Sequence, residues 1–62
     1  MFKVGLWFPD DSEVFVRMPA VPRVGDVVCW LEDEGERMVV DSVEWMTAPD
    51  YVIPVVVMRS EV

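Results

Sequence analysis

Apolar residues recur at every second position at the start of this chain. Phe2, Val4, Leu6 and Phe8 fall on one side, with Lys3, Gly5 and Trp7 on the other. Successive side chains of a strand point to opposite faces, so a period of two predicts a β-strand with one face in a core. The pattern returns after the turn cluster Pro9-Asp10-Asp11-Ser12. Val14, Val16 and Met18 then share one face, and Glu13, Phe15 and Arg17 the other. Proline fixes φ and aspartates bond their own backbone, so these four residues between two alternating runs predict a β-hairpin. No stretch carries helical spacing.

Punctuation divides the remainder in the same way. Residues 19–25 form the longest connection, and Pro19 and Pro22 exclude it from central-strand pairing. Residues 26–31 are apolar throughout after Asp26, which predicts a strand covered on both faces. Glu32-Asp33-Glu34-Gly35-Glu36 supplies a turn in which Gly35 is free to adopt a left-handed conformation. The fourth run changes parity: Met38 and Val40 share one face, while Val43 and Trp45 sit on the other. A β-bulge near Asp41-Ser42 brings all four to one side; a partly exposed strand end is the alternative. Thr47-Ala48-Pro49-Asp50 makes the last turn. Pro54 lies inside the run that follows and predicts an edge position or a kink there. The expected architecture is all-β. It is a single domain over residues 1–62, a small five-stranded antiparallel barrel with strands near 2–8, 13–18, 26–31, 37–46 and 51–58.

Few devices other than packing are open to such a chain. Sixty-two residues bury only about 60% of their unfolded surface, and domains of this size often add disulfides, metals or self-association. Cys29 is the only cysteine and there is no histidine, so neither a disulfide nor a zinc site can form within the chain. A hydrophobic content of 53% suits an unusually apolar core or a homo-oligomer. No run approaches the roughly 18 apolar residues of a membrane span, and the first ten residues do not read as a signal peptide. With one unpaired cysteine, a reducing cytoplasm is the expected compartment. Twelve acids against five bases give a net charge of −7, which argues against nucleic acid or an anionic membrane as partner.

At Pro22-Arg23-Val24-Gly25-Asp26-Val27-Val28 the chain enters a strand, and after the acidic turn comes Val40-Asp41-Ser42-Val43-Glu44-Trp45. This segment resembles short, uncharacterised proteins of bacteria and their phages. It is also similar to small barrels of the Src-homology-3-like kind, in which Gly-Asp opens a strand. The resemblance covers residues 22–45. It implies the barrel fold and a bacterial or phage source, and it carries over no activity, cofactor or functional residue.

The chemistry of the side chains points away from catalysis. Without histidine the usual general base near neutral pH is missing. Cys29 lies mid-strand among apolar neighbours and is expected to be an inert core thiol. Ser12, Ser42, Thr47 and Ser60 have no evident base, Lys3 is the only lysine, and three scattered glycines make no phosphate-binding loop. No catalytic, cofactor or metal-binding residue is assigned. Counting back from Gly35 puts Trp30 at the first position of an EF-hand loop, so that pattern fails.

Two groups remain. Asp10, Asp11 and Glu13, with Glu32, Asp33, Glu34 and Glu36, form two acidic turns that either solvate the fold or recognise a basic surface. Phe2, Val4, Leu6, Phe8, Val43 and Trp45 read as core, whereas Trp7 and Phe15 lie on the opposite face of the first hairpin. These two are either a minor cluster under the proline-rich connection or an exposed patch marking an interface. The expected function is a non-enzymatic acidic interaction module that binds a protein, or a second copy of itself, through Trp7 and Phe15. The alternative is an inhibitor that mimics nucleic acid by presenting carboxylates in place of phosphates, which requires both acidic turns on one face. Direct nucleic-acid binding by Arg17, Arg23, Arg37 and Arg59 is disfavoured by the net charge.

Overall fold

The computed structural model describes residues 1–61, with Asp33 described through its backbone alone. The alternating runs form β1 (Phe2–Trp7), β2 (Glu13–Met18), β3 (Val27–Trp30), β4 (Glu36–Ala48) and β5 (Tyr51–Ser60), and a 3-10 turn at Leu31–Asp33 joins β3 to β4. The five strands make one sheet in the order β2-β1-β5-β4-β3, curled into a half-barrel. The all-β expectation and the five strand positions hold. Purely antiparallel pairing does not, because β1 and β5 run parallel, with Gly5 opposite Val55 and Trp7 opposite Val57. The other three pairings are antiparallel. Placing the last strand beside the first fixes this mixed sheet. β5 arrives there from its hairpin with β4, already oriented along β1.

The core lies on the concave side. Val4, Leu6 and Phe8 from β1 and its end meet Met38 and Val40 of β4 and Val56 and Met58 of β5. Val14, Val16 and Met18 of β2 pack against this cluster, as do Val28 and Trp30 of β3. The Phe8 and Trp30 rings sit 5.3 Å apart in a tilted arrangement. Phe2 does not join the core, and neither does Trp45; both are more than half exposed.

The parity change in β4 is a bulge. Val40 faces Met58 and Ser42 faces Val57, so Asp41 is the extra residue. Val43 then faces Val56 and Trp45 faces Pro54, which keeps Met38, Val40, Val43 and Trp45 on the concave side.

β2 and β3 end the sheet as its two edges, and no ladder joins them among the described residues. β3 is only four residues long, and alternate residues are exposed, Val27 and Cys29 among them. The continuous apolar run therefore marks an edge strand with one face in water, and Cys29 is an exposed free thiol rather than a core one. Gly25 opens this edge in a left-handed conformation at φ +95°. Its amide donates to the Val40 carbonyl at 3.0 Å, and the Val40 amide donates to the Asp26 carbonyl at 2.9 Å.

β4 and β5 outrun their neighbours. β1 pairs with β5 only over Val55–Val57, whereas the β4–β5 ladder continues to Ala48 opposite Tyr51. The final turns of this hairpin form an arm, consistent with a molecule 37 Å long and 19 Å across. Pro54 lies just outside the β1 ladder, so its missing N–H falls where, among the described residues, β5 pairs with β4 alone.

Candidate functional site: the outer face of the sheet

The strand pairing assembles the convex face row by row. Gly5 is opposite Phe15 on β2 and opposite Val55 on β5, and Val55 in turn is opposite Glu44 on β4. One such row thus crosses four strands. Beside it, Trp7 is opposite Glu13, and on the arm Met46 is opposite Ile53. Trp7, Glu13, Phe15, Glu44, Met46, Tyr51, Ile53 and Val55 line an open groove of about 260 Å³. Trp7 is 42% exposed, Phe15 51% and Tyr51 56%.

Gly5 lies on the same face with its neighbours closed over it. A methyl group at this position would stand 3.3 Å from Phe15 Cε1, 3.3 Å from Val55 Cγ2 and 3.4 Å from Glu13 Oε2. An aromatic edge, an aliphatic methyl and a carboxylate oxygen therefore already fill the space over the glycine, and even a methyl group there would have to push at least one of them aside. Lys3 Nζ stands 5.1 Å from the centroid of the Phe15 ring, within cation–π range.

The first turn holds Trp7 in place. Asp11 adopts φ +69° and its amide donates to the Phe8 carbonyl at 3.0 Å, while the Phe8 amide donates to the Ser12 carbonyl at 2.9 Å. Asp10 accepts hydrogen bonds from the Ser12 hydroxyl and amide, and these hold its carboxyl below the ordinary 3.8. With the turn set in this way, the Trp7 indole N–H reaches Asp11 Oδ1 at 3.4 Å.

The proline-rich connection covers the other side of the sheet. Val21 packs against the core cluster, and Val21, Pro22 and Val24 lie beside Val43 and Trp45 on the concave side. Trp7 and Phe15 are thus left uncovered by the chain's own connection. Sequence reasoning missed the far half of the groove: Glu44, Met46, Tyr51, Ile53 and Val55. Alternation along residues 51–55 was the available signal, but the pairing of β5 with β1 was needed to place these residues beside Trp7.

The acidic candidates divide among several surroundings. Asp10 shares an open depression with Glu32 and Glu36, beside Phe8 and Trp30, so the two acidic turns meet at one end of the half-barrel. Asp11 supports Trp7, and Glu13 belongs to the outer groove. Glu34 is exposed at φ +57°. The side chain of Asp33 lies outside the described residues. No group of three or more metal-ligating side chains occurs among the described residues. Of the four arginines, Arg37 binds Glu61 through two nitrogens at 3.0–3.1 Å, and Arg59 lies 3.6 Å from Asp41. No helix among the described residues is long and apolar enough to cross a membrane. Comparison with protein-family models, curated proteins and solved structures finds no match.

Proposed function

We propose that this protein is a non-enzymatic interaction module that docks a protein partner on the outer face of its sheet. The observation that carries the reading is the continuity of exposed apolar groups from Trp7 and Phe15 to Met46 and Tyr51 on the projecting arm. Isolated two-stranded hairpins are at best marginal in water, and this arm also exposes Trp45 and Val52 on its other side. Large exposed apolar patches on small proteins mark interaction surfaces, and Trp and Tyr are frequent anchors there. The resemblance of residues 22–45 to small Src-homology-3-like barrels of bacteria and phages belongs to this proposal, as does a cytoplasmic compartment; both rest on the sequence alone.

The meeting of the two acidic turns supports a second reading. Asp10, Glu32 and Glu36 around one depression concentrate negative potential at one end of the molecule, as a nucleic-acid mimic requires. One comparison separates the two. Partner capture from the source cells is measured with the wild type, with Trp7→Ser/Phe15→Ser, and with Asp10→Asn/Glu32→Gln/Glu36→Gln. The outer-face reading expects the first variant to lose the partner and the second to keep it. The reverse pattern establishes the mimic and removes the docking face.

A further inference from the structure

We propose that two copies of this chain pair through β2, edge to edge and antiparallel, about a twofold axis at Phe15. β2 ends the sheet, and no strand pairs with its outer side among the described residues. Its ladder with β1 determines which backbone groups are free. The Phe8 amide donates to the Ser12 carbonyl at 2.9 Å, and the same register continues through Leu6–Val14, Val4–Val16 and Phe2–Met18. Hydrogen-bonded and non-hydrogen-bonded pairs alternate along an antiparallel ladder. Val14, Val16 and Met18 therefore turn their backbone groups to β1, whereas Glu13, Phe15 and Arg17 turn theirs to the open edge. Among the described residues, the backbone hydrogen bonds outside the ladders all go elsewhere.

The order of side chains along this edge selects a second copy as the occupant. Phe15 is flanked by Val14 and Val16, and beyond them stand Glu13 and Arg17. Setting the strand antiparallel on its own copy, Phe15 opposite Phe15, brings Glu13 opposite Arg17 of the second copy and Arg17 opposite its Glu13. On the concave side Val14 meets Val16 of the second copy. Glu13, Phe15 and Arg17 become the hydrogen-bonded positions of both strands, so their free amides and carbonyls pair with one another. A slip of two residues sets Phe15 against Glu13 or Arg17 instead.

Charge supports the same register. Glu13 and Arg17 are exposed, and neither takes part in an ion pair among the described residues. Arg17 stands opposite Lys3 on β1, a like-charged cross-strand pair that is destabilising by itself. Glu13 of the second copy brings a carboxylate to that pair. Sheet edges are often guarded against pairing by charge, lysine above all. Here the two signs lie symmetrically about an apolar centre, which makes the edge complementary to itself. The net charge of −7 on each copy opposes the approach, and the opposite charges at the contact offset it locally. The contact is isologous and closes at two copies. It leaves Trp7, Met46 and Tyr51 uncovered, so it stands apart from docking on the outer face.

Sedimentation of the full chain over a range of concentrations reads the association, and charge exchange reads the register. Arg17→Glu sets two acids opposite each other across the axis, and Glu13→Arg sets two bases. Each is expected to weaken self-association about tenfold. The double variant Glu13→Arg/Arg17→Glu restores both pairs and should dimerise like the wild type. An equimolar mixture of the two single variants should do the same by forming a mixed pair. Hydrogen exchange identifies the strand: protection of the Glu13, Phe15 and Arg17 amides should rise with protein concentration. A wild type that stays monomeric up to about 1 mM overturns the proposal. So does a dimer that both single variants leave unchanged, a double variant and a mixture that associate no better than the single variants, or protection that rises at Val27 and Cys29 instead.

Discussion

Leu6 and Phe15 sit on the two sides of the first hairpin, and their truncation measures how differently those sides contribute. Leu6 is 1% exposed within the seven-residue buried cluster. Leu6→Ala leaves a cavity in a core with few residues to collapse around it, so its cost belongs in the upper part of the range for buried leucines, about 3–4 kcal/mol. Total stability for 62 residues is expected at about 3–9 kcal/mol, so this one change removes a large share of it. Phe15 is half exposed. Phe15→Ala forfeits about half of the 2–3 kcal/mol that full burial of such a side chain confers, or about 1 kcal/mol. Urea unfolding followed by far-ultraviolet circular dichroism reads both. With a slope near 1 kcal/mol/M for so small a chain, the midpoint should fall by about 3 M for Leu6→Ala and about 1 M for Phe15→Ala. Equal shifts, or a larger one for Phe15→Ala, would refute the assignment of the concave side as the core and the convex side as free surface.

Other consequences concern the turns, the edge and the charges. Gly25→Ala should cost about 1–2 kcal/mol in the same assay, because the left-handed backbone is strained for alanine although nothing crowds the position; no change would mean the turn relaxes freely. Cys29 should react stoichiometrically with a thiol reagent in the native protein, and reaction only after denaturant is added would return it to the core. Ser12 holds Asp10 below its ordinary 3.8, and Arg37 holds Glu61 below its ordinary 4.5. Since both folded values are depressed, each stabilising contribution is complete above the ordinary value and is lost as pH falls through the folded one. Ser12→Ala should move the Asp10 carboxyl back up in a carbon-detected NMR titration; an unchanged midpoint would contradict the bond.

How far the sequence speaks depends on which interactions decide each feature. Alternation in 2–8 and 13–18 places β1 and β2 because one face of each is buried locally against the same core. The parity change between Val40 and Val43 shows the bulge at Asp41 for the same reason: an odd residue must be absorbed to keep the apolar side inward. β3 is misread because its continuous apolar run suits an edge strand as well as a covered one. What separates the two is which strands find each other across the chain. That choice also sets the parallel β1–β5 pair, the open seam between β2 and β3, and the exposure of Trp45 on an arm that outruns its neighbours. Half of the candidate site follows the same division. Trp7 and Phe15 are legible from one hairpin, whereas Glu44, Val55 and Tyr51 join them only through the pairing of distant strands.

Cross-saturation NMR on the complex with the captured partner tests the central claim most directly, because it reports which side chains of this protein the partner covers. The account predicts transfer to the Trp7 indole, Phe15, Met46 and Tyr51, with little at Asp10, Glu32 and Glu36. Transfer centred on the acidic turns, with the outer face unaffected, would contradict it.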